Sequence, residues 1–268
     1  MCVHGAVGYH SANAGGRDVD LLRRWSVNVR INILAFDTAT NACSAALQVD
    51  GKIYSRHEIA PQQHAKLILP MIQDLLSEAK INLSDLTVIA FGCGPGSFMG
   101  VRLATATAQG LGFGLTIPLI PVSTLQTLAQ TVIIPFEKGG QFCAAKPGGF
   151  IVSGWDARMD EIYWGFYESD ENGIMQSKRE NALCTPENID INAFSKVPFK
   201  LVGNAWSVYK EKLSPSIFSQ ASDIQTELYP DAKAMLTIAI SKYLNNEIVS
   251  PENAHPHYIR HRVVHTQN

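Results

Sequence analysis

The stretch GCGPGSFMGVR, residues 92–102, decides the fold because it joins a buried strand to a helix through a turn that is crowded with glycine. The residues before it, 88–91, are all apolar and predict that strand. The glycines allow backbone angles closed to other residues, and Ser97 stands where it can cap the helix. Such a turn suits either anion binding or close packing of the backbone. The sequence does not decide between them, because the spacing and the Lys of a Walker nucleotide loop are absent.

An α/β pattern extends on both sides of this turn. Residues 31–36 and 43–49 predict strands, and Asp50-Gly51 predicts a hairpin turn into a third strand. Residues 62–80 predict a helix with apolar side chains around much of its circumference. The helix that begins near residue 98 carries small residues that predict close packing, namely Ala104, Ala106, Ala108, Gly110, Gly112 and Gly114.

The later half of the chain predicts a second α/β domain. Residues 135–149 are rich in Pro and Gly and predict a boundary, so we expect one domain over residues 31–135 and another over residues 136–268. Asn172-Gly173 predicts a hairpin turn between two strands, and residues 232–244 predict the last helix. Residues 1–30 lack a secretory pattern and are interpreted as a disordered extension or an upstream start, outside the fold.

Composition narrows the class of protein. The chain has 268 residues, is 46% hydrophobic and carries a net charge of −2, which predicts a globular protein and gives no basis for strong nucleic-acid binding by the chain itself. The five cysteines are far apart and form no CxxC pair, so neither a disulfide framework nor a zinc site is indicated. No stretch reaches the roughly 20 apolar residues that a membrane span needs. We expect a cytoplasmic protein.

Further motifs stand in order along the chain. Residues 33–40 are ILAFDTAT, residues 64–70 are HAKLILP, residues 156–163 are DARMDEIY and residues 258–260 are YIR. Together with residues 94–102, in which Met99 replaces the usual threonine, they resemble the motifs of the TsaB (YeaZ) family from about residue 31 to residue 263. This family is the non-catalytic relative of TsaD in bacterial synthesis of threonylcarbamoyladenosine in tRNA.

The resemblance implies a fold and a set of partners. The implied fold is the actin-like ATPase (ASKHA, ribonuclease H-like) fold, α/β with two mixed-sheet domains, in which the C-terminal helix packs back on the first domain. The implied partners are TsaD and TsaE, and tRNA is reached through their complex. In the absence of these partners the chain is expected to form a homodimer, and no binding to a membrane is expected. The interface is expected on the helix over residues 62–80, at His64, Leu67, Ile68, Met71, Ile72 and Leu75. Coverage of that helix by the protein's own core is the alternative.

The resemblance also implies a degenerate nucleotide cleft, compatible with weak nucleotide binding but with no required cofactor. Its residues are Asp37, Thr38, Thr40, Gly94, Gly96, Ser97, Asp156 and Gly203. TsaD has a metal-binding histidine pair at the places of Thr124 and Leu128, and Leu128 offers no ligand atom. We therefore expect neither a catalytic centre nor a metal in this chain.

Two enzyme classes remain as alternatives. A small-molecule kinase or ATPase of the actin-like fold would use Asp37 and Asp156, and a metallopeptidase is disfavoured by Thr124 and Leu128. A nucleophile at Ser97 lacks the spacing of the GxSxG elbow. The terminal histidines favour a solvated tail over a metal site; they are His255, His257, His261 and His265.

Overall fold

The computed structural model describes residues 31–133, 149–190 and 196–260. In these ranges eleven strands form two sheets, and all of them belong to one compact unit. The extension predicted at residues 1–30 and nearly all of the boundary predicted at residues 135–149 lie outside the described residues, as do His261 and His265.

The first sheet has the strand order β3-β2-β1-β4-β5. Its strands are β1 (Ile33–Asp37), β2 (Ala42–Val49), β3 (Lys52–Ile59), β4 (Val88–Gly94) and β5 (Leu119–Ser123). β1, β2 and β3 form an antiparallel meander, whereas β4 is parallel to β1 and β5 is parallel to β4. Asp50 and Gly51 have positive φ angles of 47° and 77°, as the predicted two-residue hairpin turn requires.

The second sheet repeats the plan of the first. Its strands are β6 (Phe150–Asp156), β7 (Ile162–Ser169), β8 (Met175–Ser177), β9 (Ala182–Cys184), β10 (Phe199–Val202) and β11 (Ala221–Gln225). β6, β7 and β8 form an antiparallel meander, β10 is parallel to β6, and β11 is parallel to β10. β9 adds a further antiparallel pairing with β7. Both sheets are therefore mixed, which confirms the predicted α/β class.

Six α-helices lie among the described residues. They are α1 (His64–Ala79), α2 (Phe98–Leu115), α3 (Thr124–Ile133), α4 (Ala205–Val208), α5 (Pro215–Gln220) and α6 (Ala232–Leu244), with short 3-10 turns at Leu83–Asp85, Pro186–Asn188 and Pro251–Asn253. α1 and α2 bury the face of the first sheet that carries Leu34 and Phe36. Each of the helices described is too short or too polar to cross a lipid bilayer.

α6 comes after the second sheet in sequence but packs on strands β1 and β2 of the first. At its start, the Ala232 N–H donates to the Ser44 hydroxyl of β2 at 3.0 Å. Ser44 alternates with Cys43 and Ala45 and so points away from α1 and α2. The first sheet is thus covered on both faces, which explains why all five residues of β1 are buried.

Parallel pairing brings the ends of several strands to one edge. β1, β4 and β5 run in the same direction, so Asp37, Gly94 and Ser123 end at the same edge of the first sheet. In the second sheet Asp156 and Val202 end the parallel strands β6 and β10. In open α/β sheets this carboxyl edge is where ligands bind.

Candidate functional site

The turn after β1 is closed by its own polar side chains. Asp37 is 1% exposed, and its Oδ1 accepts a hydrogen bond from the Ala39 N–H at 2.7 Å. The Thr40 hydroxyl accepts from the Ala42 N–H at 3.2 Å, and the Thr38 hydroxyl donates to the Gly100 carbonyl at 2.7 Å. The Asp37–Thr40 turn is therefore linked to the start of α2.

The glycine-rich turn packs directly against this Asp37–Thr40 turn. A methyl group built on Gly92 would lie 2.0 Å from Asp37 Oδ2, and one on Gly100 would lie 2.0 Å from the Thr38 carbonyl oxygen. At Gly96 the same methyl group would lie 2.4 Å from the carbonyl oxygen of Ala39. Of the two interpretations of residues 92–102, close packing accounts for these three glycines.

Ser97 corrects the cap predicted from the sequence. It occupies the N-cap position of α2, but its side chain makes no capping hydrogen bond. Its backbone N–H donates to the Ala39 carbonyl oxygen at 2.7 Å instead. The residue thus joins the two turns through its main chain.

Burial dominates the electrostatics around Asp37. Desolvation raises the pKa of the Asp37 carboxyl from its ordinary 3.8 to about 6, and hydrogen bonds from Ala39 and Thr124 lower it only in part. Burial, followed by the nearby Asp37 charge, raises the pKa of the Cys43 and Cys93 thiols to about 12. Because the thiolate is the reactive form, these two cysteines are poor nucleophiles at neutral pH.

The second sheet presents a similar arrangement around Asp156. Asp156 Oδ1 accepts hydrogen bonds from the Arg158 N–H at 2.8 Å and from the Tyr209 hydroxyl at 2.7 Å, while Oδ2 lies 3.2 Å from the Arg158 guanidinium. The Asp156 N–H donates to the Asn204 side chain at 2.9 Å. The Asp156 carboxylate is thus paired within the chain's own fold.

α3 fills the space between the two carboxyl edges. Thr124 donates a hydrogen bond from its hydroxyl to Asp37 Oδ2 at 3.0 Å. Leu128, one turn further, is fully buried, and its Cδ2 lies 2.8 Å from a methyl group built on Gly203. Gly203 has φ +99°, and the same methyl group would lie 2.2 Å from the Gly154 carbonyl oxygen. These two side chains of α3 are therefore both held by contacts within the chain's own fold.

The structure gathers the expected cleft residues in two sets. Asp37, Thr38, Thr40, Gly94, Gly96 and Ser97 lie at the edge of the first sheet, and Asp156 and Gly203 lie at the edge of the second. Sequence reasoning did not identify Tyr209, which is distant from Asp156 along the chain. Among the described residues, no group of three or more His, Cys, Asp and Glu is placed to hold a metal ion.

The chain is similar to known proteins over most of its length. The model of a family described as "TsaD: tRNA N6-adenosine threonylcarbamoyltransferase" matches residues 52–267. The Escherichia coli "tRNA threonylcarbamoyladenosine biosynthesis protein TsaB" is 37% identical, with 87% of this chain and 96% of that protein covered. The chain belongs to the TsaB (YeaZ) family. The Haemophilus influenzae protein of the same name is 33% identical over 87% of this chain and 95% of its own length.

Solved structures agree with the TsaB assignment. The structure titled "YeaZ from Pseudomonas aeruginosa" is 36% identical, with a TM-score of 0.75 over 85% of this chain and 99% of that one. A second Pseudomonas aeruginosa structure, described as an uncharacterized protein with similarity to peptidase YEAZ, has a TM-score of 0.76 over 86% of this chain and 100% of its own. The two sheets of repeated plan are those of the actin-like ATPase fold.

The placement of α1 corrects part of the expected TsaB interface. Four of the six residues expected there lie in the hydrophobic core, each at most 4% exposed; they are Ile68, Met71, Ile72 and Leu75. They pack on the first sheet and present no surface to a partner. His64 and Leu67 are partly exposed, and Leu69 is a large apolar side chain of the helix that is 56% exposed.

α2 adds an apolar surface that sequence reasoning did not assign. Met99 is 69% exposed and Phe113 is 58% exposed. Between them in sequence lies Gly110, and a methyl group built there or on Gly114 would meet no atom of the described residues within 4 Å. Gly112, in contrast, packs against Leu119, as the small residues predicted. The close packing predicted from the small residues is therefore confirmed at Gly112 but wrong at Gly110 and Gly114.

Proposed function

We propose that this chain is a non-catalytic subunit for synthesis of threonylcarbamoyladenosine in tRNA, acting in the cytoplasm. Its relatives carry that biosynthetic name, and the chain spans nearly their whole length. Its role is to bind TsaD and, with it, TsaE. TsaD then transfers the threonylcarbamoyl group from threonylcarbamoyl-adenylate to the adenosine beside the anticodon, and AMP is the leaving group. Free, reduced Cys43, Cys93 and Cys184 suit a reducing compartment.

The observation that carries a non-catalytic role is the pairing at the carboxyl edges. Asp37 is buried and accepts a hydrogen bond from Thr124. The Asp156 carboxylate accepts a hydrogen bond from the Tyr209 hydroxyl and forms an ion pair with Arg158. Leu128 fills a histidine place with a side chain that has no donor atom. Catalysis in the complex is therefore assigned to the partner, while this chain contributes binding.

We place the TsaD contact on the exposed faces of α1 and α2. These helices contact each other, and their outer faces carry Leu69, Met99 and Phe113. Smooth positions such as Gly110 let a second helix approach the backbone closely. Apolar surface of this kind marks protein interfaces. The match of the chain to the TsaD family model supports TsaD as the occupant. His64, with a buried Nε2 that lacks a hydrogen-bond partner among the described residues, borders this surface.

Binding would act on the conformation of TsaD. A subunit that prefers the competent form of its partner shifts the population toward that form, by no more than its difference in affinity for the two forms. The chain's own net charge of −2 supports tRNA contact through the complex and not through this subunit alone.

The experiment is reconstituted modification of tRNA with the cognate TsaD, TsaE and adenylate-forming enzyme. Incorporation of labelled threonine into tRNA is expected only when this chain is present. A reaction without TsaD controls for transfer by the chain itself and should give no product. Equal modification with and without the chain would contradict the proposal.

A further inference from the structure

Residues 254–260 cross from the first sheet to the turn between β6 and β7. At their start, Ala254 is fully buried in the core that α2 covers. The Gln109 side chain of α2 donates to the carbonyl oxygens of Pro251 and Ala254, at 3.2 and 3.0 Å. The fold has a first half, built on the first sheet, and a second half, built on the second sheet. The beginning of this segment is therefore fixed to the first half.

The middle of the segment lies on the glycine-rich turn. The His257 N–H donates to the Cys93 carbonyl oxygen at 2.7 Å, and a methyl group built on Gly94 would lie 3.1 Å from the His257 carbonyl oxygen. The Tyr258 hydroxyl accepts from Arg102 Nε at 2.7 Å. The Arg102 guanidinium in turn lies 3.6 Å from the centre of the Phe98 ring. These contacts cover the carboxyl end of β4.

The end of the segment is held by the second half. Ile259 packs against the core cluster that contains Trp155 and Tyr163. The Arg260 guanidinium pairs with the Glu161 carboxylate and lies 3.4 Å from the Arg158 carbonyl oxygen, to which it donates. Only one residue, Ile259, separates the Tyr258 contact in the first half from the Arg260 contact in the second.

The turn that Arg260 contacts has an unusual backbone. Arg158, Met159 and Asp160 all have left-handed φ angles, of 62°, 56° and 59°. Such a conformation is unfavourable for residues other than glycine, because Cβ comes too close to the following carbonyl oxygen. A turn of this kind persists when its surroundings impose it, and Arg260 supplies two of the contacts that do so.

We propose that residues 254–260 are a clasp that couples the two halves of the fold. The segment lies on the carboxyl end of β4, at the edge where ligands of open α/β sheets bind. It joins the glycine-rich turn of the first sheet to the strained turn of the second. A change on one side of the clasp is therefore transmitted to the other, and this coupling belongs to the chain itself, whether or not TsaD is bound.

The test is hydrogen exchange on the full chain with one variant from each side. Glu161→Gln, in the second half, should speed exchange at least threefold at the His257 and Ser97 amides, which bond to the first half. Tyr258→Phe, which removes the bond to Arg102, should speed exchange at least threefold at the Glu161 amide. Amides within β2 should be unchanged in both variants.

Glu168→Gln is the matched control. Glu168 pairs with Lys178 at 2.6 Å, and both residues lie in the second half. This variant should leave the His257 and Ser97 amides unchanged. The proposal is overturned if faster exchange stays on the side of each substitution, or if Glu168→Gln acts on the first half as strongly as Glu161→Gln.

Discussion

At the scale of the residue, two glycines of α2 have opposite surroundings. A methyl group on Gly100 would lie 2.0 Å from the Thr38 carbonyl oxygen, whereas one on Gly110 would meet no atom of the described residues within 4 Å. Backbone atoms cannot move aside as the end of a flexible side chain can. The first glycine is thus required by close approach, and the second is free to change as far as the chain's own fold is concerned.

This difference predicts opposite effects on stability. Gly100→Ala should lower the free energy of unfolding by about 3 kcal/mol, because the helix must move away from the Asp37–Thr40 turn. Gly110→Ala should raise it by roughly 0.5–1 kcal/mol, the ordinary gain from replacing glycine within a helix. Urea unfolding measures both, and equal effects of the two substitutions would contradict the packing argument.

Asp37 predicts a dependence of stability on pH. Its carboxyl has a pKa of about 6 in the folded protein, above the ordinary 3.8, so the folded state binds the proton more tightly. The stability from this group is complete below about pH 4 and is lost as the pH rises through about 6. The loss between pH 4 and pH 7 should be about 2 kcal/mol.

Asp37→Asn should remove this loss, since the amide stays neutral and can still accept from the Ala39 N–H. Asp74→Asn, on the exposed face of α1, is the control and should keep the wild-type pH dependence. The measurement is the free energy of unfolding in urea from pH 4 to pH 7. An Asp37→Asn profile that falls as steeply as that of the wild type would count against a buried, proton-binding Asp37.

At the scale of the element, α1 separates a core side chain from a surface side chain two residues apart. Met71→Asp should lower the free energy of unfolding by about 3–5 kcal/mol, since Met71 is 4% exposed and a charge there would be buried. Leu69→Asp should change it by less than about 1 kcal/mol, because Leu69 is 56% exposed. Thermal unfolding distinguishes the two.

Leu69→Asp should weaken binding to TsaD at least tenfold if the outer face of α1 is the interface. Calorimetric titration of folded Leu69→Asp into TsaD measures this. Ser77→Ala is a suitable control, because Ser77 is exposed on the same helix and its hydroxyl bonds only to Gln73 within it. If Leu69→Asp binds TsaD with wild-type affinity, the interface lies elsewhere. If the wild-type chain forms a homodimer and Leu69→Asp does not, the surface binds a second copy of the chain.

The sequence predicts elements well where the signal is local. The hairpin at Asp50-Gly51 depends on two residues that accept positive φ, and the bounds of α1 follow from apolar spacing. α1 carries apolar residues around most of its circumference, so its sequence alone does not distinguish Leu69 from Met71. β11 was not predicted, because its residues are only partly buried and it exists through pairing with β10.

In the candidate site, too, features set by local sequence were predicted, and features set by residues far apart in sequence were not. Sequence motifs placed Asp37 and Asp156 at the ends of strands, and the structure agrees. The pairing of Asp156 with Tyr209 joins residues that are far apart in sequence, so no local pattern contains it. The interpretation of the glycine-rich turn also required knowledge of its neighbour, because the partner that needs the close approach is the turn after β1.

At the scale of the whole molecule, two sheets of the same plan are tied together by segments that return late in the chain. α6 follows the second sheet and packs on the first, and residues 254–260 join both carboxyl edges. The fold therefore depends on contacts between residues more than 150 positions apart, such as Arg102 and Tyr258. Such contacts favour unfolding of both halves in one transition.

Ser44 offers a test of that cooperativity. Its fully buried hydroxyl accepts from the Ala232 N–H at 3.0 Å and donates to the Pro230 carbonyl oxygen at 3.4 Å, so Ser44→Ala leaves two buried groups at the start of α6 without this partner. The free energy of unfolding should fall by about 1–3 kcal/mol.

Two spectroscopic signals distinguish the halves. Three of the four tryptophans lie in the second half, namely Trp155, Trp164 and Trp206. Tryptophan fluorescence therefore reports mainly on that half, while far-ultraviolet circular dichroism reports on both. If the halves unfold together, Ser44→Ala shifts both midpoints equally, and an exposed Ser77→Ala shifts neither. A fluorescence midpoint that stays in place while the dichroism midpoint falls would mean that the first half unfolds alone.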